Sequence, residues 1–482
     1  MPKKILFTPS YFYRFDEKQW RNQQPYPPYA TILAASYLRH AGFDVQLFDS
    51  NLKNSPAEIK EILHKYKPDY VVVFDDSFNY LSKMCLTIMR EACFELIKYS
   101  KEASCTVLVN SSDASDHADL YLKKGADIVI KGEGELTLHE LLTTNCTSLA
   151  TCLGIAYLEN NIVITNAKRA VLTNLDMLPQ PAWDLVDVNA YKQIWMNAHK
   201  KFSLNIATTR GCPFKCNWCA KPIYGNRYNS RSPKAVVQEL KLLINKFEAT
   251  HFWVCDDIFG LKPGWVEEFS LLLKKENLHP KFKIQCRADL LLKENTIQHL
   301  VAAGLDEVWM GAESGSQKVL DAMEKGTQVK QIYDATKLLK KYGVKVCFFL
   351  QYGYLGETKM DIDKTLQMVK ELMPHDIGIS VSYPLPGTGF YEKVKEQLQS
   401  KQNWTDSDDL AMMYQATYSQ KFYKHLHRHT HTIFKKQKSI YYLKNIFIEP
   451  TITNVQKIKS VVKLPYHWIS EKLSEHKLKS LQ

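Results

Sequence analysis

Short β-branched runs alternate with helix-period segments along most of the chain. In the first 144 residues, Ile5-Leu6-Phe7, Val45-Gln46-Leu47-Phe48, Tyr70-Val71-Val72-Val73-Phe74, Thr106-Val107-Leu108-Val109 and Ile128-Val129-Ile130 read as strands. Between the first two, "YATILAASYLRHAG" sets Ala34, Leu38 and Ala41 at i, i+4 and i+7, a helix face that Gly42 is suited to end. Strands alternating with helices predict an α/β domain over residues 1–144, a doubly wound parallel sheet covered on both faces. Ligands on such sheets gather beyond the carboxyl ends of the strands. Those ends carry Thr8-Pro9-Ser10, Asp49, Asp75-Asp76-Ser77, Asn110-Ser111-Ser112 and the glycine turn "KGEGE".

Residues 145–200 break the rhythm. "MLPQPAWDLVDVNAY", with Pro179 and Pro181, predicts an extended linker. The alternation then returns with longer helices, and strands are expected at Leu204–Thr208, His251–Cys255, Phe282–Cys286, Glu307–Met310, Lys345–Leu350 and Asp376–Val381. Six βα units over residues 201–405 predict a partial (β/α)6 barrel, whose chemistry belongs on the face after the strands. That face carries a cysteine loop, "DDIFG", Arg287, "GAESG", "QYGYLGET" and "YPLPGTG". Residues 406–482 read as a helical, aromatic and basic region.

At 482 residues, with 45% hydrophobic and 24% charged positions, the chain is a multidomain globular protein. It holds no apolar run of about 18 residues, so no transmembrane segment is expected. The amino terminus runs straight into a strand without an apolar signal region, which predicts a cytoplasmic protein. Eleven cysteines in that compartment favour metal or redox chemistry over disulfides. The net charge of +12 is partly local, concentrated in "KFYKHLHRHTHTIFKKQK". Such an end suits nucleic acid or anionic lipid, although a solvated helix face is the commoner meaning. No RNA-binding module is recognisable, and Phe422, Tyr423, Phe434, Tyr441 and Tyr442 read as packing residues, so nucleic acid is not expected as a partner.

The stretch "TTRGCPFKCNWCAKP" places Cys212, Cys216 and Cys219 in one loop. Thiolates bind soft metals, and this spacing lets one loop wrap a single centre. Structural zinc wants four ligands in a closed tetrahedron, whereas a cubane iron–sulfur cluster held by three cysteines leaves one iron open. Unliganded cysteines, or zinc completed by a distant ligand, are the alternatives.

C-x3-C-x2-C with Trp218 before the third cysteine resembles the cluster motif of the radical S-adenosylmethionine superfamily. "VWMGAESGSQKVLDAMEKGT" and "YGVKVCFFLQYGYLGET" resemble the later strands of that barrel. "MPHDIGISVSYPLPGTGFYEKV", the linker "LPQPAWDLV" and the turn "GADIVIKGEGELTL" are similar to the cobalamin-dependent (class B) subgroup, notably relatives of the anaerobic magnesium-protoporphyrin IX monomethyl ester cyclase. The resemblance covers roughly residues 1–400. It implies that Cys212, Cys216 and Cys219 ligate one [4Fe-4S] cluster, whose open iron chelates S-adenosylmethionine and whose electron releases a 5′-deoxyadenosyl radical. It further implies a cobalamin-binding-like first domain, a small-molecule substrate, and an electron donor such as flavodoxin or ferredoxin. Glu313, Ser314 and Arg287, after the close-approach Gly311, are expected at the methionine and ribose portion. Asp256 and Asp257 are expected to orient the amino group or ribose, although strand-end acids often only cap the next helix. Gly132 and Gly134 admit close backbone approach to a cofactor, and Glu133 offers an acceptor.

Two departures stand against this pattern. The D-x-H-x-x-G signature of a histidine cobalt ligand is absent, since no glycine follows Asp116-His117 at the needed place. "VLVNSSDASDHADL" stands where relatives carry a glycine pair. The expected activity is cobalamin-dependent methylation of an unactivated carbon. Oxidative cyclisation or rearrangement without methyl transfer, and a non-catalytic cobalamin-binding protein, are the alternatives.

Overall fold

The computed structural model describes residues 2–398, 401–448 and 455–481. Its amino-terminal sheet is built on runs buried along their length, of which Tyr70–Phe74 is the clearest. The strands are β1 (Lys4–Thr8), β2 (Asp44–Leu47), β3 (Tyr70–Phe74), β4 (Thr106–Asn110), β5 (Ile128–Ile130), β6 (Ile155–Glu159) and β7 (Ile162–Thr165). Their spatial order is β2-β1-β3-β4-β5-β6-β7. The first five run parallel, and β6 and β7 are added antiparallel.

The last two strands depart from the expected extended linker. Asn160 and Asn161, with φ of 51° and 63°, form a tight turn between two β-branched runs, and the resulting hairpin extends the first sheet to Thr165. Within the same stretch, Val188–His199 is a helix started by the Asp187 side chain. Tyr191 and Trp195 bury its inner face.

The second sheet contains β8 (Ser203–Ile206), β11 (His251–Val254), β12 (Lys281–Cys286), β13 (Leu305–Glu313), β14 (Lys345–Tyr352) and β15 (Asp376–Val381), in that spatial order. All neighbours are parallel, as the βα rhythm predicted. The short pair β9 (Thr209–Arg210) and β10 (Asn229–Ser230) closes the base of the loop that carries the three cysteines. Beyond β15 come a short helix, Gly389–Val394, and a stretch without regular structure over residues 401–419, so the expected helical region begins at Gln420–Ile448, which packs against β15 and helix Lys359–Leu372. Before that helix, residues 403–407 bind the first domain. The Thr87 N–H donates to the Trp404 carbonyl, and Ser407 Oγ donates to Asp16.

At the first sheet, the order reverses between β1 and β3, where a ligand crevice belongs. Ser10 N–H and Oγ donate to Asp75 there, at 2.6 and 2.9 Å. Asp76 accepts from the N–H groups of Tyr29 and Ala30, capping a helix that follows Pro28 and has no cap of its own. After β4, Arg90 makes a bidentate pair with Asp113 at 2.5 Å. Burial raises the Asp113 carboxyl, but hydrogen bonds from Arg90 and His117 outweigh it and hold it down at about 2.

One of the ties between the two domains is a buried cation. Arg210 of β9 donates through Nη2 to Glu135 at 2.5 Å and through Nη1 to Glu133. The three side chains are 3%, 2% and 7% exposed respectively, so no water replaces a lost partner. The guanidinium also lies 5.0 Å over the ring of Tyr224, whose hydroxyl meets Ser77 Oγ at 2.6 Å. Removing one member of such a group leaves uncompensated buried charge. We predict that Arg210→Met lowers stability by about 3–5 kcal/mol in chemical denaturation, and that adding Glu133→Gln and Glu135→Gln recovers most of the loss. An unchanged midpoint for Arg210→Met contradicts this.

Candidate active site

The cysteine loop begins where Asp256 fixes the end of β8. Its carboxylate accepts from Thr208 N–H at 2.7 Å, Thr209 N–H at 3.0 Å and the Thr208 hydroxyl, and burial pushes it up to about 6. Two residues on, Gly211 has φ +78°, and a Cβ there would lie 2.2 Å from the Arg227 carbonyl. Only glycine fits that crossing. The loop is held again at its middle by Asn217. Asn217 Nδ2 donates to Ala322 O at 2.9 Å and to Glu324 at 3.1 Å, and its Oδ1 accepts from Tyr354 at 2.7 Å. The Phe390 N–H donates to the Asn217 carbonyl at 2.7 Å. The thiols on either side of Asn217 are therefore carried on a backbone tied to the helix Gln317–Ala322 after β13, to the loop after β14 and to the helix Gly389–Val394 after β15.

Cys212, Cys216 and Cys219 are all unpaired and half-buried. Burial raises the Cys212 thiol and pushes Cys219 up to about 12. Among the described residues no three His, Cys, Asp or Glu side chains converge on a point suited to one metal ion. A cubane asks for something else, since each cysteine meets a different iron corner. The buried indole N–H of Trp218, a residue of the loop, has no hydrogen-bond partner. Three unpaired thiols and an orphaned donor on one braced loop fit a three-cysteine cluster.

Three cations surround the loop. Arg287 Nη1 lies 3.9 Å from Cys216 Sγ, and its guanidinium stacks 3.8 Å over the Phe214 ring while donating to Lys325 O at 2.7 Å. Lys325 pairs with Glu313 at 2.8 Å and sits 5.7 Å over the Trp218 ring. Burial opposes the charge on Lys325, but Glu313 and the neighbouring Cys216 hold its ammonium above the ordinary lysine range. Lys83 reaches across from the first domain to pair with Asp257. Burial opposes its charge too, and Asp257 with Cys219 overcomes that. The arrangement suits the negative charge that thiolates and inorganic sulfide bring to a cluster.

Glu313 is aimed by strain. The register of β13 against β14 slips between Gly311 and Glu313, and Glu313 adopts φ 55°, uncommon for a side-chain-bearing residue. A Cβ on Gly311 would lie 2.6 Å from Lys325 Nζ, so this glycine makes room for the ion pair.

The expected site residues thus divide. Trp218, Arg287, Gly311, Glu313 and the three cysteines come together. Asp257 is joined to the rim through Lys83. Asp256 and Ser314 are placed elsewhere: Asp256 holds Thr208 and Thr209, while Ser314 Oγ faces Thr365 at 3.1 Å and accepts from Ser316 N–H. Glu133 is committed to Arg210 and Leu172 N–H, not to a ligand. Gly132 has φ +84°, but Gly134 serves packing, since a Cβ there would strike Phe74 at 2.5 Å. Lys83, Arg210, Asn217 and Lys325 were missed. The signal for Asn217 lay in the loop itself, as the polar residue inside C-x3-C-x2-C; the others are recognisable only from their partners.

Residues 206–369 match the model of the radical SAM superfamily. The chain is 27% identical over 387 residues to an uncharacterized methyltransferase of Pyrococcus horikoshii, covering 78% of this chain and 81% of that one. It is 26% identical over 393 residues to the anaerobic magnesium-protoporphyrin IX monomethyl ester cyclase of Rubrivivax gelatinosus, covering 78% and 67%. Its fold is similar to that of a cobalamin-dependent S-adenosylmethionine radical enzyme, OxsB, solved with aqua-cobalamin: the TM-score is 0.74 at 18% identity, covering 99% of this chain and 72% of that one. The matched stretch, which contains the braced loop and its three thiols, is a radical SAM domain, and that domain implies a [4Fe-4S] cluster and S-adenosylmethionine.

Proposed function

We propose that the chain is a cobalamin-dependent radical methyltransferase acting on an unactivated carbon of a small molecule. The observation that carries this reading is the loop of three free, half-buried thiols ringed by Arg287, Lys325 and Lys83. The methyltransferase relative and the cobalamin-bound structural neighbour support the methyl-transfer half of it. When bound, the cluster and S-adenosylmethionine supply a 5′-deoxyadenosyl radical, and cobalamin supplies a transferable methyl group.

Cys212, Cys216 and Cys219 are the ligands we assign to the cluster. Glu313, fixed by Lys325 and its left-handed backbone, is placed to accept from the amino group of S-adenosylmethionine, and the orphaned Trp218 N–H supplies a donor nearby. Arg287, with Nη1 3.9 Å from Cys216 Sγ, compensates thiolate charge there. For cobalamin, the groups that fit are hydroxyls, amides and backbone, since the acids at the strand ends are committed. Buried Tyr11 OH and Asn51 Oδ1 lack partners in the segments beyond β1 and β2. The Asn110 amide, which donates to the Gly132 carbonyl at 2.9 Å, shapes the turn beyond β5. A cytoplasmic location and a flavodoxin or ferredoxin donor belong to the same reading. So does the division into a first domain carrying cobalamin, a barrel carrying the cluster and a helical carboxyl-terminal region. The cyclase relative supports a second outcome, ring closure without methyl transfer.

Anaerobically reconstituted protein is predicted to bind roughly four irons per chain. Replacing Cys212, Cys216 and Cys219 together with alanine should abolish that iron and its visible absorption. Retention of the iron contradicts the ligand assignment. Glu313→Gln should weaken S-adenosylmethionine binding by about tenfold or more, the equivalent of a charged hydrogen bond, with iron content unchanged. Equilibrium dialysis without oxygen measures this, and equal affinity removes Glu313 from the cofactor site. Turnover should yield S-adenosylhomocysteine alongside 5′-deoxyadenosine; 5′-deoxyadenosine alone selects the ring-closure outcome.

A further inference from the structure

The carboxyl-terminal helices Val455–Val462 and Leu464–Lys479 follow one another with a single intervening residue, Lys463. One side of them is fastened to helix Gln420–Ile448. Ser439 Oγ donates to Ser460 O at 2.8 Å, Lys436 pairs with Glu471, and His467 and Leu478 are buried. The opposite side carries Ile458, Val462, Tyr466, Ile469 and Leu473, exposed to 45%, 73%, 67%, 57% and 67%. At helical spacing these five fall within an arc of about 80°. The stripe is about 22 Å long at the helical rise per residue. Trp468, 58% exposed, lies about 80° round the helix from the stripe's nearer edge, with Lys472 5.8 Å over its ring.

Charge decides what covers this stripe. Exposed Lys459, Lys463, Lys472 and Lys477 border it or lie within its margin. The acids of the same helix are directed to lysines, Glu471 to Lys436 and Glu475 to Lys479. An apolar face with aliphatic side chains at its centre, the Tyr466 ring at its edge and unopposed lysines along its flanks is the pattern of a helix lying in a lipid interface. A second copy docking face to face would bring lysines against lysines, and Ile, Val and Leu give nucleic-acid bases nothing to stack on. No described helix is long and apolar enough to cross a membrane, so the contact is one of lying on the surface.

We propose that the stripe Ile458–Leu473 docks this protein onto an anionic lipid bilayer, with the aliphatic side chains in the headgroup–acyl boundary and the lysines on lipid phosphates. The proposal stands apart from the proposed reaction and is tested without turnover. Full-length protein is sedimented with vesicles of phosphatidylglycerol and phosphatidylcholine, and with vesicles of phosphatidylcholine alone. Binding is expected to the anionic vesicles, to weaken as salt rises, and to fall at least about tenfold in Ile469→Glu/Leu473→Glu. The triple substitution K459E, K463E and K477E should remove the preference for anionic lipid. All five positions are exposed, and matching thermal unfolding of the variants shows that the fold is kept. No sedimentation with anionic vesicles at low salt overturns the proposal, as does undiminished binding by the Ile469→Glu/Leu473→Glu variant. Dimerisation in solution that this variant abolishes overturns it in favour of a second copy. Tight binding to single-stranded RNA without vesicle binding overturns it in favour of nucleic acid.

Discussion

A buried guanidinium held between two carboxylates of another domain sets the geometry of this molecule. Arg210 lies two residues before the first loop cysteine, and Glu133 and Glu135 belong to the turn and helix start after β5. All three are shielded from water, so the pairing is satisfied only when the two domains meet in one arrangement. From there the chain has little freedom. Gly211 crosses against the Arg227 carbonyl, Asp256 fastens the strand end, and Asn217 fastens the loop's middle. The first domain thus helps to brace the cysteine loop that we assign to the cluster, rather than merely standing beside it. Lys83, crossing from that domain to Asp257 near Cys219, makes the same connection at the far side of the loop.

Electrostatics explains why so many charged groups are buried around one short segment. Thiolates and sulfides carry negative charge into a poorly solvated site, and each nearby cation is held by a carboxylate or a carbonyl. Lys325 is shared between Glu313 and Cys216, and Arg287 between Asp289, a backbone carbonyl and Cys216. Such groups place positive charge without leaving it unpaired in the absence of the cluster.

Much of the fold could be read from periodicity. Tyr70–Phe74, Ile128–Ile130 and Asp376–Val381 form strands with the expected bounds, and the other expected strands differ by a few residues at their ends. The hairpin Ile155–Thr165 went unread because its turn is Asn-Asn and its strands are short, exposed on one side and isolated from the helical rhythm. In the site, the thiols were legible because their partners are close in sequence. The acids were legible as residues but not as roles. Glu133 and Asp256 stand at strand ends, where ligands gather, yet Glu133 faces a residue 77 positions away and Asp256 one 48 positions away. Only folding brings Arg210 and Thr208 to them. Lys325 gave no local signal either, since its importance comes from Glu313, Cys216 and Trp218 meeting it across the barrel mouth.

The central claim is that three cysteines hold a four-iron cluster with one corner left for S-adenosylmethionine. The most direct test is Mössbauer spectroscopy of oxygen-free, iron-57-enriched holoprotein before and after that cofactor is added. About one quarter of the iron signal is expected to move to the parameters of a site with nitrogen and oxygen ligands while the rest stays sulfur-coordinated. A spectrum of four sulfur-ligated irons that S-adenosylmethionine leaves unchanged, or one with no cubane component, would contradict it.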